Sequence, residues 1–257
     1  MSAVPGTAAV LGVLMRRTLN EILRVPGAAI PGILAPSIFM LGLTAVFGNL
    51  VQLRGFGTGE YIEFIVPVSL MQAASFSGAA TGVNLARDIE QGWFDRLLVS
   101  PLPRPLLLLS ILTSAAARAL LPMTFTLVVA LAIGVHWPGV GPVLLALVLA
   151  SAFAAVAAAW TTTLALRFKT QSAAPLMQAS MFMLVLFTPS YSPQRLLTGF
   201  LQDVARVNPV SKVVVAVRDC FVGGVTWDGT WPALVVLAAM AAFFSALALR
   251  GLGRTGV

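Results

Sequence analysis

Charged residues are scarce in this chain, and their scarcity excludes an ordinary soluble fold. Only 10% of the 257 residues are Asp, Glu, Lys or Arg, whereas 58% are hydrophobic and the mean hydropathy is +0.94. A soluble domain carries about 25% charged residues. The composition therefore predicts an integral membrane protein, with the lipid bilayer as the partner of much of its surface.

Cysteine, histidine and lysine are also rare. Cys220 is the single cysteine, so an intrachain disulfide is impossible. His136 stands alone in a Trp-Pro-Gly turn, and no HExxH or GxSxG pattern occurs, so we expect no catalytic or metal site on this chain. Neither Lys169 nor Lys212 belongs to a Gly-Lys-Ser/Thr phosphate-binding loop, which indicates that the chain does not itself bind ATP.

Arginine accounts for most of the net charge of +7. The arginines are spread over short loops between apolar segments, which argues against nucleic acid as a partner. With both termini inside, ten of the 16 Lys and Arg residues lie on the cytoplasmic side and five outside, with Arg118 inside a predicted span. The positive-inside rule therefore predicts that both termini are cytoplasmic.

Six apolar segments are candidates for membrane spans, each of which needs about 20 residues. They are residues 28–48, 61–85, 105–134, 142–166, 173–189 and 231–249. Before the first span, residues 9–25 place apolar side chains on one face and arginines on the other, which predicts an interfacial helix. We predict an all-α membrane protein with a single transmembrane domain over residues 1–257.

Residues 194–222, between the last two predicted spans, are mixed in character. Apolar residues recur at helical spacing, and an Asn-Pro pair divides the segment into two pieces of about a dozen residues, too short to cross a bilayer. We predict two short helices that are external or re-entrant. An extra pair of spans is the alternative, and charged residues such as Asp203 and Arg218 disfavour it.

The most polar run in the first half of the chain lies between the second and third predicted spans. Ile89, Trp93 and Leu97 recur at four-residue spacing, which predicts a short amphipathic surface helix over residues 87–100. A solvated loop with a single helical turn is the alternative.

Four features of the sequence occur together in one known family. Residues 60–67 read EYIEFIVP, residues 87–104 contain an acidic-Gln-Gly-aromatic core followed by LLVSP, and an Asn-Pro pair precedes an apolar run that ends at Arg218. The fourth feature is the order of the elements. In these features the chain resembles the type-2 export permeases of ATP-binding-cassette transporters, which include the daunorubicin-resistance permeases. Many members have Pro-Gly where this chain has Pro67-Val68, a departure that concerns the local kink.

The resemblance implies a function and partners. It implies a permease subunit of a bacterial plasma-membrane exporter, which moves an amphipathic drug, a lipid-like molecule or a glycan precursor outward. It implies a second permease subunit, identical or paired, and a separate cytoplasmic ATPase subunit that binds ATP and Mg²⁺. This chain itself would hold no cofactor.

The resemblance also implies that the helix 87–100 couples the permease to its ATPase. A docking helix needs aromatic anchors within a polar rim, and Trp93 and Phe94 are the expected anchors. An aromatic residue at headgroup level is the alternative for Trp93. The candidate coupling residues are Arg87, Asp88, Glu90, Gly92, Trp93, Phe94, Asp95 and Arg96.

Polar and aromatic residues within the spans are candidates for lining a translocation path. An arginine at the bilayer centre costs about 2.5–3.5 kcal/mol, so Arg118 is expected to face protein or water, or to reach the interface. The candidate path residues are Glu63, Gln72, Phe76 and Arg118. Gln72 has an alternative role as a hydrogen-bonding bridge between helices. The alternative for Glu63 is a carboxylate that forms hydrogen bonds at the membrane interface. The alternative function is an ion-coupled secondary transporter, although the predicted spans hold no Asp or Glu near the midplane.

Overall fold

A computed structural model describes residues 26–52, 60–94 and 103–254 of the chain. Every regular element in these ranges is a helix, which confirms the predicted all-α class for this part of the protein. The α-helices are α1 (Pro26–Phe47), α2 (Tyr61–Glu90), α3 (Arg104–Ile133), α4 (Val140–Phe168), α5 (Ala174–Leu186), α6 (Phe200–Val207), α7 (Val210–Asp219) and α8 (Trp227–Arg254). Short 3-10 helices occupy Gly48–Gln52, Gln171–Ala173 and Gln194–Leu196.

Four of these helices are long and apolar enough to cross a membrane, namely α2, α3, α4 and α8. Two shorter apolar helical stretches are Gly32–Phe47, within the 22 residues of α1, and Gln171–Leu186, which joins a 3-10 helix to α5. The 13 residues of α5 cover about 20 Å, against a hydrocarbon core of about 30 Å. The predicted count of six spans is therefore not confirmed. The four long apolar helices do confirm that the chain is a multi-pass membrane protein.

Helix α2 extends further than its predicted span, residues 61–85, and this changes the predicted coupling helix. Arg87, Asp88 and Glu90 all belong to the last turns of α2, so a separate helix does not begin at residue 87. The break comes at Gly92, whose φ of +74° is left-handed, and a new helical turn begins at Trp93. Polar side chains do not end a helix by themselves, whereas a left-handed glycine does.

Two predicted features lie outside the described residues. These are the interfacial helix over residues 9–25 and the remainder of the coupling segment over residues 95–102, which includes Asp95 and Arg96.

The helix bundle has two ends. We call them the Glu90 end and the Glu63 end, after one glutamate that lies at each. The Glu90 end comprises residues 85–94, 103–108, 164–173 and 248–254, whose apolar side chains form one buried cluster. The Glu63 end comprises residues 60–64, 134–140 and 187–230, where α7 packs against α2 and α6 contacts the segment after α5 through Phe200 and Phe187. Helix α2 runs between the two ends and contacts α1, α3, α4, α5 and α7.

Two glycines allow α2 to lie unusually close to α4. A Cβ on Gly78 would stand 2.5 Å from the carbonyl oxygen of Ala154, and one on Gly82 would stand 2.7 Å from that of Thr161. In return, the Thr161 hydroxyl donates a hydrogen bond to the Gly78 carbonyl across the interface, at 3.1 Å. Close backbone approach through small residues is the usual way for apolar helices to associate where the hydrophobic effect cannot drive them together.

Replacing Gly78 with Ala tests this close approach. The added methyl group overpacks the α2–α4 contact, and we expect G78A to destabilise the protein by about 1–3 kcal/mol. The measurement is the midpoint of thermal unfolding of the detergent-solubilised protein, which is read by size-exclusion chromatography of samples heated to different temperatures. Gly42 in α1 is the control, because nothing lies within 4 Å of its would-be Cβ. Equal midpoints for G78A and G42A would contradict the close packing.

Candidate functional site

Three contacts at the Glu90 end join segments that are far apart in the sequence. The Glu90 carboxylate accepts hydrogen bonds from the Gln171 backbone N–H at 3.1 Å and from the Thr170 hydroxyl at 3.5 Å. Arg104, which opens α3, donates to the carbonyl of Gly253 near the end of α8 at 3.3 Å. The turn after α2 is thus attached both to the loop between α4 and α5 and, through α3, to the last helix.

The two predicted aromatic anchors have different environments. Trp93 is 56% exposed, whereas Phe94 is only 2% exposed and belongs to the buried cluster together with Leu107, Leu166 and Met177. Consecutive helical residues point about 100° apart, so adjacent side chains rarely face the same partner. Phe94 therefore packs the turn onto the bundle, and its predicted role as an anchor for a partner stays a prediction. Trp93 keeps an exposed ring.

The remaining described coupling candidates surround this turn. Arg87 and Asp88 are half-buried on the last turns of α2, and Glu90 is exposed and bound as described above. Gly92 has open space where a side chain would lie, so its role here is the left-handed backbone and not a close approach.

The predicted path residues lie along α2 and on α3, and each of them contacts a neighbouring element. The Gln72 amide donates to the Tyr191 hydroxyl at 2.8 Å. One turn further along α2, the Phe76 ring stacks on Phe182 of α5, with centroids 6.0 Å apart. Phe182 in turn meets Phe39 of α1 at 6.3 Å, so three aromatic rings connect α2, α5 and α1.

The two charged path candidates are bound to groups of the protein. Arg118 of α3 is half-buried and donates to the Ser77 carbonyl at 2.9 Å and to the Thr81 hydroxyl, both on α2. Glu63 meets the Nδ1 atom of His136 at 2.9 Å, which ties the start of α2 to the turn between α3 and α4. The structure thus separates Glu63, at one end of the bundle, from the contacts of Gln72, Phe76 and Arg118 inside it.

Sequence reasoning missed a polar cluster at the Glu63 end. The Tyr61 hydroxyl donates to the Tyr191 carbonyl at 3.0 Å, and the side chain of Asn208 donates to the carbonyls of Leu184 and Phe187 at 2.8 and 3.0 Å. These residues satisfy backbone groups at the end of α5 and just after it. The Asn-Pro pair was the available signal, but a break between helices does not reveal which distant carbonyls the asparagine binds.

Arg218 belongs to the same cluster. Its Nη2 atom donates to the carbonyls of Pro189 and Ser190 at 2.6 and 3.3 Å, and its guanidinium lies 3.6 Å from the centroid of the Phe64 ring. Burial lowers the pKa of Arg218 to about 9, against the opposite effects of Asp219 and Tyr61. The group is therefore still a cation at neutral pH.

Removing the two aromatic rings of the turn separately tests their different roles. We expect F94A to lower the free energy of unfolding by about 3–5 kcal/mol, because it leaves a cavity in a buried cluster. We expect W93A to change it by about 0.5 kcal/mol or less, as for other exposed positions. The midpoint of thermal unfolding in detergent measures both variants. A W93A protein as unstable as F94A would show that both rings are structural.

Comparison with known proteins places the chain in a family. Residues 49–250 match the family described as ABC-2 family transporter protein. The chain is 24% identical to a daunorubicin resistance ABC transporter permease protein of Streptomyces coeruleorubidus over 239 residues, which cover 91% of this chain and 82% of that protein. It is 26% identical to a permease named for doxorubicin resistance from two strains of Mycobacterium tuberculosis, over 82% of this chain and 75% of that protein.

The matched residues include α2, α3 and α4 in full, α8 as far as Arg250, the turn at Gly92 and the cluster around Arg218, whereas Phe39 and Gly253 lie outside them. The match also confirms the resemblance that the sequence motifs indicated. The chain therefore belongs to the ABC-2 transporter family, as a multi-pass membrane permease.

Proposed function

We propose that this permease is the membrane-spanning subunit of an ATP-driven exporter that moves an amphipathic drug, a lipid-like molecule or a glycan precursor outward. A separate cytoplasmic ATPase subunit binds ATP and Mg²⁺, and two permease subunits, identical or paired, enclose the path. The family match supports this assignment, and the relatives named for daunorubicin and doxorubicin resistance favour a drug as the substrate.

The observation that carries the proposal is the position of Trp93. Its exposed indole stands on a turn that is bound to the start of α5 through Glu90 and packed on α3, α4 and α8 through Phe94. A buried aromatic anchor on a soluble partner is the commonest source of binding energy at an interface. A push on this turn by the ATPase would therefore reach four helix ends at once.

Charge distribution supports a cytoplasmic Glu90 end. Over the described residues this end carries six basic and two acidic residues, namely Arg87, Arg104, Arg167, Lys169, Arg250, Arg254, Asp88 and Glu90. The Glu63 end carries four basic and five acidic residues, namely Arg195, Arg206, Lys212, Arg218, Glu60, Glu63, Asp203, Asp219 and Asp228. The positive-inside rule favours the cytoplasm for the first set, and with it a cytoplasmic C-terminus.

The interior contacts of α2 support a path beside this helix. The rings of Phe76, Phe182 and Phe39 offer flat apolar surfaces, and Phe39 is exposed to whatever lies beside α1. Aromatic faces stack well on planar amphipathic molecules. Arg118 supplies a cation beside Ser77, which directly follows Phe76, and beside Thr81, just over one turn further along α2. We assign these residues to the path, with Gln72 at its Glu63 side and Glu63 at its mouth.

Comparing two exposed tryptophans tests the coupling assignment. Trp93 and Trp137 are similarly exposed, at 56% and 54%, but they stand at opposite ends of the bundle. We expect W93A to weaken binding of the ATPase subunit by about 2 kcal/mol or more, roughly 30-fold in Kd, and W137A to leave it unchanged. The measurement is the amount of ATPase that co-purifies with the tagged permease in mild detergent. Equal recovery with both variants would contradict the assignment, and absence of any ATPase with the wild type would favour the ion-coupled alternative.

Single cysteines at the two ends test the orientation. In a background that carries C220A, we expect T198C to react with a membrane-impermeant maleimide added to intact cells, because Thr198 is exposed at the Glu63 end. We expect S172C, at the Glu90 end, to react only after the cells are permeabilised. The reverse labelling pattern would place the Glu90 end outside and remove the basis for ATPase docking there.

A further inference from the structure

Among the residues that the structure describes, Arg218 is a buried cation that is surrounded by backbone carbonyls and an aromatic ring and not by a carboxylate. It is 9% exposed, and in the ranges that the structure describes it is the only Asp, Glu, Lys or Arg side chain classed as buried. No carboxylate in those ranges forms an ion pair with it, and its Nε atom lacks a hydrogen-bond acceptor. Its partners are instead the carbonyls of Pro189 and Ser190 and the face of Phe64.

These carbonyls belong to residues 189–191, the segment through which the chain leaves α5. On the α2 side, Tyr61 and Gln72 hold Tyr191 by its carbonyl and its hydroxyl. On the other side, Arg218 of α7 holds the two residues before it. The exit segment of α5 is thus bound between α2 and α7, and Arg218 provides the contact to α7.

The contact between Arg218 and residues 189–191 is strong, but it lasts only while both carbonyls stay beside the guanidinium. Carbonyls that follow the C-terminal end of a helix favour a cation, and the face of a phenylalanine ring adds a cation–π attraction. A buried cation without a carboxylate partner is tolerated only while such groups surround it. If residues 189–191 move away, Arg218 loses two acceptors together and is more stable in water. The contact is therefore lost as a unit when residues 189–191 move away from α7.

Helix α5 connects this contact to the Glu90 end. Its first turn follows Gln171–Ala173, whose leading N–H binds Glu90, and its exit segment binds Arg218. A helix is a rigid element, so a displacement of the turn at Glu90 that moved Gln171 along the axis of α5 would also move residues 189–191.

We infer that Arg218 is the positioning residue that holds residues 189–191 against α7 and so keeps the Glu63 end closed, and that this contact breaks and re-forms during each transport cycle. The holding role stands on the geometry alone. The cyclic release rests on the proposed function, because it requires an ATPase to displace the turn at Glu90.

Cys220 provides a native probe for this inference. It is the single cysteine of the chain, it lies two residues after Arg218, and its thiol is buried. Its reaction with a membrane-impermeant maleimide therefore reports how often this part of the chain opens. We expect R218Q to accelerate labelling of the purified permease by about tenfold or more, because the charge and the hydrogen bonds that hold the closed state are lost. R218K keeps the charge and is expected to restore part of the protection.

Two further variants separate a holding role from a general loss of structure. K212Q removes an exposed cation from the same helix and is expected to label at the wild-type rate. Y61F removes only the hydroxyl that binds the Tyr191 carbonyl and is expected to accelerate labelling by a smaller factor than R218Q, with the fold intact. If R218Q does not fold, the labelling rate of Cys220 in Y61F decides whether the contact holds residues 189–191 in place. Wild-type labelling rates in folded R218Q, or in Y61F where R218Q is unfolded, would overturn the holding role.

The release step is tested in vesicles that contain the permease and the ATPase that co-purifies with it. We expect ATP to accelerate labelling of Cys220 in the wild type and to have no effect in W93A, whereas a purely structural arginine would give rates independent of ATP. Labelling that ATP does not change in the wild type would overturn the release step. If no ATPase co-purifies, the proposed function fails and the release step with it, while the rates of R218Q and Y61F in detergent still decide the holding role.

Discussion

The carbonyl groups that follow α5 impose the constraint on which much of the remaining structure depends. Thr188, Pro189 and Ser190 are buried where the chain leaves α5, so carbonyls in this segment cannot rely on water and must find donors within the protein. Asn208, between α6 and α7, and Arg218 of α7 supply donors to the end of α5 and to this segment. The need to satisfy one short helix thus fixes where α6 and α7 pack.

The same constraint explains the central position of α2. Tyr61 and Gln72 must reach Tyr191, and Phe64 must reach Arg218, while Gly78 and Gly82 keep the helix in contact with α4. A helix that meets these requirements is enclosed by its neighbours along most of its length, which is why it lacks a wide exposed apolar face. The exposed apolar surface is carried instead by α1, α3 and α8, where lipid or another subunit can cover it.

Motifs in the sequence identify the segments that matter better than they identify the residues. The polar run after the second span predicts a surface helix over residues 87–100 that a partner could reach, and Trp93 is exposed there, although the structure places it just after a break at Gly92. The same pattern could not distinguish Trp93 from Phe94, because both are aromatic and adjacent, and only packing against α3, α4 and α5 decides which of them is buried. Glu63 and His136, 73 residues apart, likewise form a pair that no local pattern indicates.

The sequence by itself determined that this protein lies in a lipid bilayer, that its fold is all-helical and that it belongs to a transporter family. Apolar content and the scarcity of charge require a bilayer, helices are the only way to satisfy the backbone there without a barrel, and the motifs around residues 60–67 and 87–104 indicate the transporter family. Only the tertiary structure decided that α2 continues to Glu90, that α5 is too short to span, and that Arg218 is buried against carbonyls. The reason is that composition and periodicity are local properties, whereas a buried cation is defined by acceptors that lie 28 and 29 residues away in the chain.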